Sequence, residues 1–166
     1  MNQQYAEAGV KRQDTLATMA IKVLMILGVF IALFLVIIVR GIFGYVGVAI
    51  GVGVFFLFPK LHIDYEYIYV DGQIDFDRIT GKSKRKTMLR IDFEQVEIMA
   101  PSDSSVLDSY KNMQLEKRDF SSLSKDSKPY VIIASSDNKK MRIIFEPSEK
   151  MVDIIKQKNA RKLVTY

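Results

Sequence analysis

The sequence predicts an α+β membrane protein. An N-terminal transmembrane helical hairpin should precede a seven-stranded antiparallel β-barrel or sandwich that ends in one helix. Three observations carry this. Charged residues almost vanish between positions 23 and 58, where Arg40 stands alone. From position 61 onward, apolar and polar residues alternate in short runs between turn signals. Near the C-terminus, Pro147 and Ser148 precede an apolar stripe at helical spacing.

The membrane anchor is expected over residues 1–60, with spans at about 16–39 and 41–58. Residues 23–39 carry no charge and make a helix about 25 Å long at roughly 1.5 Å per residue. With residues 16–22 added, and the Lys22 amine reaching the headgroups, this covers a hydrocarbon core of about 30 Å. Residues 41–58 make a second segment of about 27 Å. One unbroken helix would overshoot the bilayer, so a turn is expected around Arg40 to Gly44. A cleaved signal peptide is the competing reading of the first segment. The run is too long for it, no small-residue cleavage site follows, and a second span comes at once. Gly28 and Ala32 are four apart, as are Gly47 and Gly51, and Gly44 extends that second series. Small residues at this spacing let helices approach closely in lipid, within one hairpin or between copies.

The N-terminal side carries Lys11, Arg12 and Lys22, the C-terminal side carries Lys60 and a basic group, and the loop between the spans holds Arg40. The positive-inside rule then expects a multi-pass protein of the cytoplasmic membrane with both termini in the cytoplasm. There is no Cys, which excludes a disulfide framework and any Cys-based metal, redox or nucleophilic site.

Residues 61–166 are expected to form the cytoplasmic domain. They hold 19 basic and 17 acidic residues, in a chain of 166 with net charge +5. In L-H-I-D-Y-E-Y-I-Y-V, residues Leu61, Ile63, Tyr65, Tyr67 and Tyr69 share one face of a strand. Asp71-Gly72 is a two-residue hairpin turn, since both positions tolerate positive φ. Ile74 and Phe76 alternate with Asp75 and Asp77 on the return strand. Thr87, Leu89, Ile91 and Phe93 mark a third strand, 96–99 a fourth, and 113–117 a weak fifth. Between the last two, one helical turn is expected at 105–110. Residues 130–134 and 141–145 complete the strands, joined by a turn at Asp137-Asn138. Ser148 suits a helix N-cap, and Met151, Ile154 and Ile155 supply the buried stripe. Consecutive hairpins imply antiparallel pairing throughout.

This order of elements resembles the pleckstrin-homology-like fold. The stretches Y-E-Y-I-Y-V-D-G-Q-I-D-F-D-R-I, G-K-S-K-R-K, V-E-I-M-A-P, L-D-S-Y-K-N and I-F-E-P-S-E-K-M are similar to a family of small bacterial membrane proteins (domain of unknown function, number 6106). The resemblance runs over nearly the whole chain. It implies a bacterial origin, two spans and a cytoplasmic domain, and carries over no activity and no site residues.

The chemistry-bearing motifs are few. His62 reads as a surface residue near the membrane exit. Asp64, Glu66, Asp75 and Asp77 alternate with apolar residues, the pattern of a solvated sheet face. No phosphate-binding glycine loop, zinc spacing or nucleophile elbow occurs, so no catalytic residue, metal or cofactor is expected. The informative feature is basic: Arg78, Lys82, Lys84, Arg85, Lys86 and Arg90, with no acidic residue among positions 78–90. The first strand runs roughly 26 Å from the membrane at about 3.3 Å per residue, and the second returns by the same length. The loop between 80 and 86 should therefore lie at the headgroups, where anionic lipid attracts each Lys or Arg by about 1 kcal/mol.

The expected function is a non-enzymatic, membrane-tethered module that binds anionic lipid or a protein partner. The alternative is a structural or regulatory subunit of a membrane complex, assembled with another membrane protein or itself through the glycine-rich face. Nucleic acid is not an expected partner, since no aromatic platform interleaves the basic residues. A transporter or channel is disfavoured because the runs 23–39 and 41–58 hold no Asp, Glu, Lys, Arg or His.

Overall fold

The computed structural model describes residues 5–39, 41–136 and 139–164. The chain divides into two units. A helical unit holds 13–63 together with 80–83, and a β unit holds the chain up to Arg12, then 64–79, then Lys84 onward.

In the helical unit, α1 spans Leu16–Phe34 and continues as a π-helical turn over Leu35–Val39. The Thr15 hydroxyl accepts from the Thr18 amide at 3.2 Å, which satisfies one of the donors left open at a helix start. Helix α2 spans Gly41–Leu57, and Pro59 helps open a 3-10 turn over Phe58–Leu61. The expected turn begins at Arg40, which lies outside the described residues, and Gly41 follows with φ +59°. Both helical segments are long and apolar enough to cross a membrane. Only 6% of each apolar window is buried, so their side chains face outward, unlike those of a soluble core helix. The Lys22 Nζ lies 2.5 Å from the Asp14 carboxylate.

The β unit contains eight strands among the described residues, in two four-stranded sheets. The first sheet is ordered β1 (Tyr5–Lys11), β2 (Ile63–Val70), β3 (Gln73–Thr80) and β4 (Lys84–Asp92). The second is ordered β5 (Val96–Pro101), β7 (Tyr130–Ser136), β8 (Lys139–Phe145) and β6 (Glu116–Asp119). Helix α3 covers Glu149–Asn159, and the Ser148 hydroxyl accepts from the Met151 amide at 3.3 Å. Asp71 and Gly72 turn the β2–β3 hairpin with φ +48° and +100°. The turn expected at Asp137-Asn138 lies outside the described residues.

Three expectations are corrected. The strands number eight rather than seven, because Tyr5–Lys11 pairs antiparallel with β2, from Tyr5 opposite Val70 to Lys11 opposite Asp64. The chain before the spans is therefore not all anchor. Ala6 of β1 is fully buried, with Ala8 and Val10 packed on the same core. The pairing is not all antiparallel, since β6 runs parallel to β8. β6 joins the edge of β8 that β7 leaves open. The weak strand expected at 113–117 sits later, at Glu116–Asp119.

The core lies between the two sheets and α3. Phe76 stacks on Phe120 at 4.9 Å between centroids and meets the edge of Phe145 at 5.5 Å. The buried Tyr67 hydroxyl donates to the Phe120 carbonyl at 2.5 Å, and burial pushes its pKa up. A smaller cluster of Ala100, Leu107, Val131 and Ile133 packs on the other face of the second sheet. The 3-10 turn Ser105–Tyr110, expected from the sequence, contributes Leu107 to it.

Candidate functional site

The β3–β4 turn belongs to the helical unit. Gly81 and Lys82 both take left-handed backbone, φ +61° and +63°. The Gly81 amide donates to the His62 carbonyl at 3.1 Å. A Cβ at Gly81 would come 3.4 Å from the Pro59 carbonyl oxygen. The turn therefore rests on the segment that ends α2, and it holds Lys82 beside the stretch that carries Lys60. Both lysines are exposed, and neither makes an ion pair with a described residue. The equal lengths of β2 and β3, eight residues each, are what bring the chain back to this point. Lys60 counted towards orientation in the sequence but not towards a site; its position directly after Pro59 was the available signal.

The other basic residues lie in the β unit and do not form one patch. The Arg90 guanidinium donates to both carboxylate oxygens of Asp75, at 2.6 and 2.5 Å, which holds its pKa above the usual value. Arg85 pairs with Glu66 and reaches Asp77 at 3.8 Å. Arg78 is half-buried and makes an interaction of its own. Lys84 and Lys86 are exposed, share one face of β4, and make no ion pair with a described residue. Of the six, Lys82, Lys84 and Lys86 remain available to an external anion.

The carboxylates depart from the solvated face that the alternation suggests. Asp77 is only 4% exposed, and its Oδ1 has no hydrogen-bond partner. The unrecognised β1 is part of the reason, because it sets Glu7 beside Glu66 on the neighbouring strand. Burial raises the pKa of Glu66 first, and its hydrogen bond with Glu7 and the charge of Asp77 add to this, while Arg85 opposes. Glu7 is shifted down by hydrogen bonds from Tyr5 and Glu66. Arg85 of β4 thus links Glu66 of β2 and Asp77 of β3, and Glu7 of β1 joins the cluster at Glu66. Among the described residues, no group of three or more His, Asp or Glu side chains is placed to hold a metal ion.

In the helical unit, the small residues serve the contact between α1 and α2. A Cβ at Gly47 would lie 2.6 Å from the Ala32 carbonyl oxygen and 2.9 Å from Val36. Ala32 is 5% exposed. Gly28 faces Ile50 and Val54, and Gly44 faces Val36. Gly51 differs, with nothing within 4 Å of a Cβ built on it. It lines an apolar groove of about 530 Å³ instead. In the β unit, a cleft of about 720 Å³ with mixed polar and apolar walls opens between residues 101–105 and 127–130, Asp103 and Lys128 among them. No sequence motif pointed to that cleft, because it is assembled from two loops distant along the chain.

No curated protein and no solved structure matches this chain. The family described as bacterial PH-like domain (DUF6106) matches residues 2–165. With two apolar helices, eight strands in two sheets and a C-terminal helix, the chain belongs to that bacterial PH-like family of unknown function, and its architecture is consistent with a PH-like fold.

Proposed function

We propose that the protein is a non-enzymatic binding module held at the cytoplasmic face of the cell membrane, where Lys82, Lys84 and Lys86 contact anionic lipid headgroups. The observation that carries this reading is the contact of Gly81 with Pro59 and His62. It puts Lys82 at the end of a helix long and apolar enough to span. Lys84 and Lys86 follow within four residues.

The pairing of β1 with β2 supports the topology. Lys11 lies opposite Asp64, so the chain leaves the β unit and returns to it at one place. The intervening stretch then crosses a bilayer an even number of times, and its two apolar segments make that number two. The distribution of Lys and Arg puts the shared side in the cytoplasm. At about 1 kcal/mol per cation near an anionic surface, three lysines contribute about 3 kcal/mol, weakened by salt. Four of the five small residues considered for helix assembly are engaged between α1 and α2, which favours lipid contact over assembly through that face.

The test uses the full chain in lipid nanodiscs, with amide hydrogen exchange read over residues 80–88. Slower exchange in anionic than in neutral lipid is expected, lost when Lys82, Lys84 and Lys86 are changed to Gln. Equal exchange in both lipids would overturn the reading.

A further inference from the structure

We infer that the helical unit binds one anionic phospholipid at a fixed place, with an acyl chain in the groove beside Gly51 and the headgroup at Lys60 and Lys82. This rests on the proposed function for which end of the helices meets the headgroups, and it goes further by naming a discrete site. The groove is lined by Ile26 and Val29 from the first apolar segment and by Gly51, Val54, Phe55 and Phe58 from the second. Its volume of about 530 Å³ falls within the roughly 300–1,000 Å³ of ordinary small-molecule sites. From Gly51 to Pro59 it runs about 12 Å along the helix axis, at about 1.5 Å per residue. The missing side chain at Gly51 keeps it open.

The groove ends at Pro59. Lys60 follows Pro59 in the chain, and Gly81 against Pro59 brings Lys82 to the same end. The acidic residue of this unit, Asp14, is matched by Lys22 at 2.5 Å. The rim is therefore cationic and the groove apolar. That is the complement of a lipid with an apolar tail and an anionic head, whereas a second copy of the hairpin would match the groove and gain nothing from the two ammonium groups.

The chain contains no Trp, so Phe55→Trp places a single tryptophan, excited apart from the eight tyrosines, in the groove. Phe56→Trp, next in sequence and outside the groove lining, reports the general lipid shell. The full-length variants are reconstituted in phosphatidylcholine bilayers with a small fraction of brominated phosphatidylglycerol or brominated phosphatidylcholine. At Phe55→Trp, the anionic lipid should quench several-fold more than the neutral one at equal mole fraction. Combining Lys60→Gln with Lys82→Gln should bring that ratio close to one, and Gly51→Leu should reduce quenching by both lipids. At Phe56→Trp the ratio should stay close to one throughout. Equal quenching at Phe55→Trp, a ratio indifferent to the two lysines, or quenching that falls as protein is concentrated in the bilayer would each overturn the inference; the last means that a second copy fills the groove. If slower exchange at residues 80–88 in anionic lipid survives such a result, the discrete site fails alone. If it is lost too, the proposed function fails with it.

Discussion

In the β unit the large side chains are inside: Tyr67, Tyr69, Phe76, Phe93 and Phe145 are buried. In the helical pair they are outside: Phe30, Phe34, Phe43, Phe55 and Phe56 are each more than half exposed. The buried residues of the two helices are the small Ala32 and Gly47, with Gly47 pressed on the carbonyl of Ala32. The contrast follows from the solvent each surface suits. In water, burying apolar area yields about 25 cal/mol per Å², so large side chains make the best core. In hydrocarbon that drive between helices is absent, and close approach of backbones takes its place.

The largest expected effect tests which residues belong to which region. Replacing 13–62 by Asn-Gly leaves Arg12 and Ile63 flanking a tight turn, since Lys11 already pairs with Asp64. This variant should be water-soluble and unfold cooperatively in urea with its strand signal intact. Removing residues 1–12 from the same variant strips β1, with the buried Ala6 and the Arg12 bond to the Asp119 carbonyl at 2.8 Å. Cooperative unfolding should then be lost. An unchanged urea midpoint would make β1 an appendage and restore the simpler boundary near residue 60.

A smaller effect separates two glycines one turn apart. Gly47→Ala forces a methyl group into the Ala32 carbonyl and should destabilise the helical pair by about 1–3 kcal/mol, as overpacking does. Gly51→Ala should leave it within error of the parent. Unfolding of the reconstituted full chain in mixed detergent, followed by helicity, checks both. Equal effects would mean that the pair packs by some face other than the one around Gly47.

The smallest effect concerns the carboxylate cluster. Burial raises the folded pKa of Glu66, so the folded state holds that proton more tightly than the unfolded chain does. Stability from this group is present in acid and lost as pH rises through its folded pKa. Glu66→Gln stays neutral, so it should gain on the parent at neutral pH, and the gain should vanish by about pH 3.5, below the ordinary carboxylate value. Urea midpoints of the soluble variant across that range measure it. A difference that grows towards acid would reverse the sign argued here.

Much of the candidate site was legible one strand at a time. The basic run, its return to the start of β2 and the Asp71-Gly72 turn all follow from residues adjacent in sequence. Which cations stay available was not legible. Arg85 and Arg90 look identical to their lysine neighbours in a charge count, yet they meet carboxylates from β2 and β3. Likewise Y-A-E-A-G-V-K has little of the β-branched and aromatic character that marks a strand. Its inward series Ala6, Ala8 and Val10 becomes meaningful only once β2 is beside it.

By itself, the sequence determined the two apolar helices, the β2–β3 hairpin and the Ser148 cap, each from a composition or spacing within a few tens of residues, and the family from stretches spread over nearly the whole chain. Tertiary structure alone decided that β1 completes the first sheet, that β6 joins β8 in parallel, that Asp77 is buried, and that Arg85 and Arg90 are engaged by carboxylates while Lys82, among the described residues, is not. Those outcomes depend on which edges remain open and which charges meet across strands, and such choices are settled between segments distant along the chain.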